Sequence, residues 1–137
     1  MSMEPYNDAV RRLFENPRHA GDPDTRYAAV VTAEVSESDA GFQVLLAAEM
    51  DGKEIRRLRF RVFGCPHLIA AAEELCSRFE GKAPKALQDV PVAQLMELLE
   101  VPVEKTGRML LLEDAAHSLA RAILTGEPSG ALRNRRN

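Results

Sequence analysis

Cysteine is scarce in this chain: Cys65 and Cys76 are the only two. If both lie on one helix they are about 16 Å apart along its axis at 1.5 Å per residue. A disulfide needs Cα atoms within about 7 Å, so these two cannot pair. That excludes a disulfide scaffold and fits a reducing compartment. Long apolar runs are also missing, so no membrane-spanning helix is expected, and the N-terminus lacks a basic, hydrophobic leader. A cytoplasmic protein without a membrane partner follows. Excess positive charge is missing too: the net charge is −3, which argues against nucleic acid as a partner. Internal repeats and low-complexity segments are absent. What remains is ordinary for a globular protein, with 45% hydrophobic and 28% charged residues in 137. That length suits one domain with a real core.

Hydrophobic periodicity divides the chain into a strand half and a helical half. A first helix is expected from about Pro5 to Glu15, with Val10, Leu13 and Phe14 as its stripe and Asn16-Pro17 as its stop. A turn-rich loop, Arg18 to Asp24, follows. Three strands are expected next: about Tyr27 to Val35, a second with Phe42, Val44, Leu46, Ala48 and Met50 on one face, and Ile55 to Phe63. Asp51-Gly52 is a hairpin signal between the last two. Ser38-Asp39-Ala40-Gly41 turns the first into the second. Helices are then expected over Pro66 to about Glu80, Val92 to Leu99 and about Lys105 to Leu124, with Gly81 and Gly126 at two of the ends. Strands followed by helices imply an α+β fold, a three-stranded antiparallel sheet packed against helices. Residues 1–126 read as the single domain, and 127–137 as a basic, flexible tail.

The most informative residue is Cys65, where the alternating pattern of the third strand gives way to a helical one. Leu58, Phe60 and Val62 share one face of that strand, and Arg57, Arg59 and Arg61 the other. Gly64 permits a sharp turn, and Pro66 suits a first helical turn. The thiol therefore sits beside free backbone N–H groups at the positive end of a helix, which favours thiolate over thiol. A thiolate serves both sulfur transfer and metal ligation; the competing reading is a small apolar residue at a strand end. Cys76 falls on the stripe Leu68, Ala72, Leu75, Cys76, Phe79 and reads as core. His67 makes a Cys-x-His pair that offers two metal ligands or a thiol with a nearby base, against a histidine satisfied by core or solvent. Arg56, Arg57, Arg59 and Arg61 form a basic row, either a solvated face or a docking surface for an acidic partner.

Three segments carry a resemblance. Phe14-Glu15-Asn16-Pro17-Arg18-His19-Ala20-Gly21 resembles the Tyr/Phe-Glu-Asn-Pro-Arg-Asn-x-Gly signature of IscU/NifU-type iron–sulfur cluster assembly scaffolds. Arg59 to Cys65 resembles that family's Arg-Phe-Lys-x-Tyr/Phe-Gly-Cys, and Leu112-Glu113-Asp114-Ala115 its Ala-Glu-Asp-Ala. The matches occur in the family's order and span most of the chain. The resemblance implies the same α+β fold, a part in iron–sulfur cluster assembly, and a cysteine desulfurase or other assembly proteins as partners. A monomer or weak homo-oligomer is expected.

The departures matter as much. Counting without gaps, the family's Cys-Gly-Asp falls on Asp39-Ala40-Gly41 and its His-Cys on Gly107-Arg108, so one of three cluster cysteines is kept. A bound iron or iron–sulfur cluster would have Cys65, with Asp39 and His67, as its ligands, a poor set beside the usual four thiolates. The family's chaperone-recognition stretch, Leu-Pro-Pro-Val-Lys, reads Val101-Pro102-Val103-Glu104-Lys105, leaving Val101, Pro102 and Lys105 as its remnant. Arg108 would bring a cation to Cys65, making it a better nucleophile and a worse cluster ligand. SufE-like sulfur acceptors share the fold and need a single cysteine in Gly-Cys-x-Ser, half matched by Gly64-Cys65-Pro66-His67. Three functions stay open: cluster assembly through an incomplete site, persulfide acceptance at Cys65, and a non-catalytic interaction or regulatory role.

Overall fold

The computed structural model describes residues 6–24, 26, 29–37, 39, 41–126 and 133–134. Helix α1, Asp8–Glu15, starts where the Asn7 side chain accepts a hydrogen bond from the Val10 backbone N–H at 2.9 Å, an N-cap that holds one of the otherwise orphaned donors. Strands β1 (Ala29–Glu37), β2 (Phe42–Asp51) and β3 (Glu54–Phe63) follow. They form an antiparallel meander in which β2 is central. Helix α2 runs Pro66–Phe79, a 3₁₀ turn Pro84–Gln88, α3 Val92–Leu99, a second 3₁₀ turn Val103–Lys105, and α4 Thr106–Thr125. The expected α+β architecture is present. Pro5 and Tyr27, expected at element starts, lie outside the described residues, as does most of the expected tail. Within that tail, β4 (Arg133–Asn134) pairs in parallel with β1 at Val35 and Ser36.

The β2–β3 pairing contains an irregularity that the alternation pattern hides. Glu49 faces Arg57 but Met50 faces Ile55, so Arg56 is the extra residue of a bulge. The bulge resets parity, and Ile55, Leu58 and Phe60 all reach the inner face, where they are buried. There they meet Val44, Leu46 and Ala48 of β2 and the apolar sides of α2 and α4. Cys76 is fully buried in this layer, as its place on the α2 stripe predicts; burial first, then the Glu73 and Glu80 charges, pushes its thiol well above the ordinary value.

The segment after α1 closes the outer edge of β3. The Phe60 N–H donates to the His19 carbonyl at 3.0 Å, and the Gly21 N–H donates to the Phe60 carbonyl at 2.9 Å. An edge strand covered in this way offers no free ladder there for another chain. Among the described residues, no helix is long and apolar enough to cross a membrane.

Candidate functional site

Strand β3 and helix α2 meet at Gly64-Cys65, and the local sequence accounts for the junction. Cys65 is the N-cap residue of α2, extended at φ −89° and ψ 166°, and Pro66 follows in the first turn. The Cys65 side chain makes no capping hydrogen bond, so the sulfur is not used to hold the helix end. Gly64 serves close approach rather than an unusual turn, since its φ is not positive. A Cβ placed there would lie 2.8 Å from Leu68 Cδ2 and 3.3 Å from Phe42 Cδ1.

The first turn of α4 reaches this junction with Arg108. Its Nη1 donates a hydrogen bond to Cys65 Sγ at 3.2 Å. The same guanidinium lies over the Phe42 ring, 4.5 Å from its centroid. Cys65 and Arg108, 43 residues apart in sequence, are thus brought together, and Cys65 remains partly accessible.

His67 has other partners. It is only 2% exposed, its ring lies 4.7 Å from that of Tyr6, and Lys105 Nζ lies 2.9 Å from its Nδ1. An ammonium has only protons to give, so Nδ1 is the acceptor and the ring is neutral. Burial, then the Lys105 charge, then the Arg108 charge push the His67 pKa down to about 4. The Nδ1 lone pair is spent on Lys105, which leaves that nitrogen unable to bind a metal. Asp39 is exposed in the β1–β2 connection.

The structure therefore does not assemble Cys65, Asp39 and His67 into a ligand set. Among the described residues, no group of three or more His, Cys, Asp or Glu is placed to hold a metal ion. An iron–sulfur cluster, as cargo, finds a single thiol already facing a guanidinium, which would set a positive charge where a further ligand is needed. The donor set does not fit a cluster.

The remnant of the expected partner motif is also partly turned inward. Val101 is buried and Lys105 faces His67, while Val103 between them is 81% exposed. The basic row of β3 is largely matched by carboxylates. Arg57 Nε lies 3.5 Å from Glu49, Arg59 reaches Glu80 at 3.4 Å, and Arg61 Nε donates to Asp22 at 2.6 Å. Asp22 is held below the usual carboxylate range by that hydrogen bond and the Arg61 charge.

Two features at or near the site have no signal in local sequence. Phe42 opens β2 in an ordinary strand pattern, and nothing in that pattern marks it as the support for Arg108. His19 lies between two carboxylates: Nδ1 is 2.6 Å from Glu73 Oε2 and Nε2 is 3.1 Å from Glu80 Oε1.

Comparison with known proteins agrees with the fold. The family described as the NifU-like N terminal domain matches residues 5–124. The iron-sulfur cluster assembly protein IscU of Plasmodium falciparum (isolate 3D7) is 27% identical over 110 residues, covering 80% of this chain and 68% of that protein. Iron-sulfur cluster assembly protein 3 of Arabidopsis thaliana is 29% identical over 111 residues, covering 80% of this chain and 65% of that protein. The chain thus spans about two thirds of the length of these relatives. A candidate iron–sulfur cluster assembly scaffold protein for the SUF system from Fervidobacterium islandicum AW-1 superposes with a TM-score of 0.66 at 15% identity, over 84% of this chain and 96% of that one. The N-terminal part of a nitrogen-fixing NifU-like protein from Brucella abortus gives 0.63 at 18% identity, over 88% and 95%. At those identities the structures speak for the fold alone. With the family match covering most of its length, the chain belongs to the NifU-like N-terminal domain family.

Proposed function

We propose that this protein takes part in iron–sulfur cluster assembly by handling sulfur rather than by holding a cluster, with Cys65 as a persulfide acceptor for a cysteine desulfurase. The observation that carries this reading is the hydrogen bond from Arg108 Nη1 to Cys65 Sγ at 3.2 Å. A guanidinium donor is strongest toward an anionic acceptor, and it disfavours an added metal cation at the same sulfur. One thiolate suffices for persulfide transfer. Cys65 Sγ attacks the outer sulfur of the donor persulfide, a new S–S bond forms, and the donor's own S–S bond breaks. The donor cysteine leaves as thiolate with the electron pair, so the exchange needs no oxidant or reductant.

In this reading the working unit is residues 1–126, with 127–137 as an appended basic tail. It acts in a reducing cytoplasm as a monomer or weak homo-oligomer, alongside other assembly proteins. Membership of the family supports the cluster-assembly setting, and the relatives' names point the same way. The test is intact-mass analysis after incubation with a cysteine desulfurase and L-cysteine. One added sulfur atom on the wild-type chain, absent from Cys65→Ser, is the expected result. No adduct, or an adduct that persists in Cys65→Ser, overturns the acceptor role and leaves the interaction-only function in its place.

A further inference from the structure

Arg108 differs from the arginines of β3 in what it faces. Arg57, Arg59 and Arg61 each have a carboxylate partner. Among the described residues, Arg108 has none; its partners are a thiol and an aromatic face. Its positive charge is therefore left uncompensated beside Cys65. A free arginine side chain has many rotamers to give up, so one hydrogen bond to sulfur is a weak tether. The Phe42 ring, 4.5 Å from the guanidinium carbon, supplies the second. Phe42 is held in turn by the junction itself. The bare Cα of Gly64 leaves room for the ring, which would sit 3.3 Å from any Cβ at that position. The start of β2, the β3–α2 junction and the first turn of α4 thus converge on one guanidinium.

We propose that Phe42 is a positioning residue that fixes Arg108 against Cys65 and so makes this thiol selective for anionic reaction partners. The inference deepens the sulfur-acceptor reading and rests on it for its biological meaning: the incoming group would be an anionic persulfide, drawn to an uncompensated cation. Phe42 touches no reacting atom. It acts through the guanidinium, by the attraction of a cation to the negative face of a ring.

The measurement is the ratio of two alkylation rates at Cys65 in the folded chain, followed by mass spectrometry. Iodoacetate is anionic and iodoacetamide neutral, so their ratio reports local charge rather than general access. The wild-type ratio should exceed that of free cysteine in the same buffer, and the excess should shrink as salt is added. Phe42→Leu should lower the ratio about two- to five-fold, the size of an exposed to partly desolvated cation–π contact. Phe42→Tyr, which keeps the ring face, should retain it. Arg108→Lys keeps the charge but not the flat stacking group, and should lose most of the excess. That variant also covers the case in which Phe42→Leu fails to fold. A wild-type ratio equal to free cysteine overturns the proposal. So does an unchanged ratio in folded Phe42→Leu or in Arg108→Lys, or an equal loss in Phe42→Tyr and Phe42→Leu. No desulfurase is involved, so a raised, Phe42-dependent ratio without a persulfide adduct condemns only the acceptor reading. An adduct formed with an ordinary ratio condemns only the positioning role.

Discussion

The ring of His67 accepts a hydrogen bond at Nδ1 from the Lys105 ammonium, 2.9 Å away. Its pKa, pushed down to about 4 first by burial and then by Lys105 and Arg108, lies below the ordinary 6.5. The unfolded chain therefore binds more protons between those two values, and stability falls as pH drops from 6.5 toward 4. Histidine-resolved NMR should show His67 still mostly neutral at about pH 5, where an ordinary histidine is protonated. In Lys105→Met its titration should move upward by about a pH unit, since one of the depressing charges is gone while burial stays. An unmoved titration in that variant would mean that the ammonium does not face the ring in solution.

His19 is shifted in the opposite direction. Both of its ring nitrogens face carboxylate oxygens, Nδ1 toward Glu73 and Nε2 toward Glu80, and only imidazolium donates from both. Burial pulls its pKa down, but the hydrogen bonds and charges of Glu73 and Glu80 outweigh that and raise it above 6.5. The backbone N–H of His19 also donates to Glu73 at 2.8 Å, and Arg59 approaches Glu80 from β3. A raised histidine stabilises fully below the unfolded value of about 6.5, and that contribution is lost as pH rises through the folded value. Urea unfolding across pH should therefore weaken on the alkaline side, and His19→Gln should flatten that decline. At pH 6, His19→Ala should cost about 3 kcal/mol, because it leaves the buried Glu73 carboxylate without its cation. A variant as stable as wild type at pH 6 would show that the imidazolium is not formed.

These two histidines show where sequence reading stops. The strands, the Asp51-Gly52 hairpin and the amphipathic stripe that buries Cys76 are local patterns, and each is found where its period or turn chemistry puts it. The bulge at Arg56 is not local: it depends on the β2 register, and only that register explains why Ile55 and Leu58 share a face. The partners of His19 lie 54 and 61 residues away and that of His67 lies 38 away, separations that no spacing rule reaches. Arg108 comes into view at Cys65 only by counting along a family pattern, and Phe42 beneath it not even then. The basic row of β3 is legible as a row, while its pairing with Glu49, Glu80 and Asp22 requires the loop and the helix to be in place.

The absence of a ligand set among the described residues has a direct consequence in reconstitution. Anaerobic incubation with iron and sulfide should give a colourless, iron-free product after desalting. Asp39→Cys with Arg108→Cys returns thiols to the two positions where the family pattern has them and removes the cation from Cys65. That double variant should gain visible sulfur-to-iron charge-transfer absorption, because it approaches the thiolate number that clusters use. Colour in the wild-type chain would show that one thiol beside a guanidinium is enough. A colourless double variant would show that Asp39 is not where the family cysteine lies.

Gly64 provides the sharpest test of the site's geometry. Its φ is not in the left-handed region, so replacing it costs nothing in backbone conformation, and any penalty is steric. A Cβ would meet Leu68 Cδ2 at 2.8 Å and Phe42 Cδ1 at 3.3 Å. Leu68 is fully buried among the core side chains and has little room to swing aside. Gly64→Ala should therefore destabilise by about 1–3 kcal/mol, the usual cost of forcing a methyl group into a packed interior. Leu68→Val removes the δ carbon that stands closest, at a cost of its own from lost packing. If the close approach is the cause, the double variant should be more stable than the sum of the two single losses, with a coupling of about 0.5 kcal/mol or more. Urea midpoints for the four chains settle this. Strict additivity would place the cost of Gly64→Ala somewhere other than Leu68, and Phe42, the remaining neighbour and the support for Arg108, would then be the side chain that has moved.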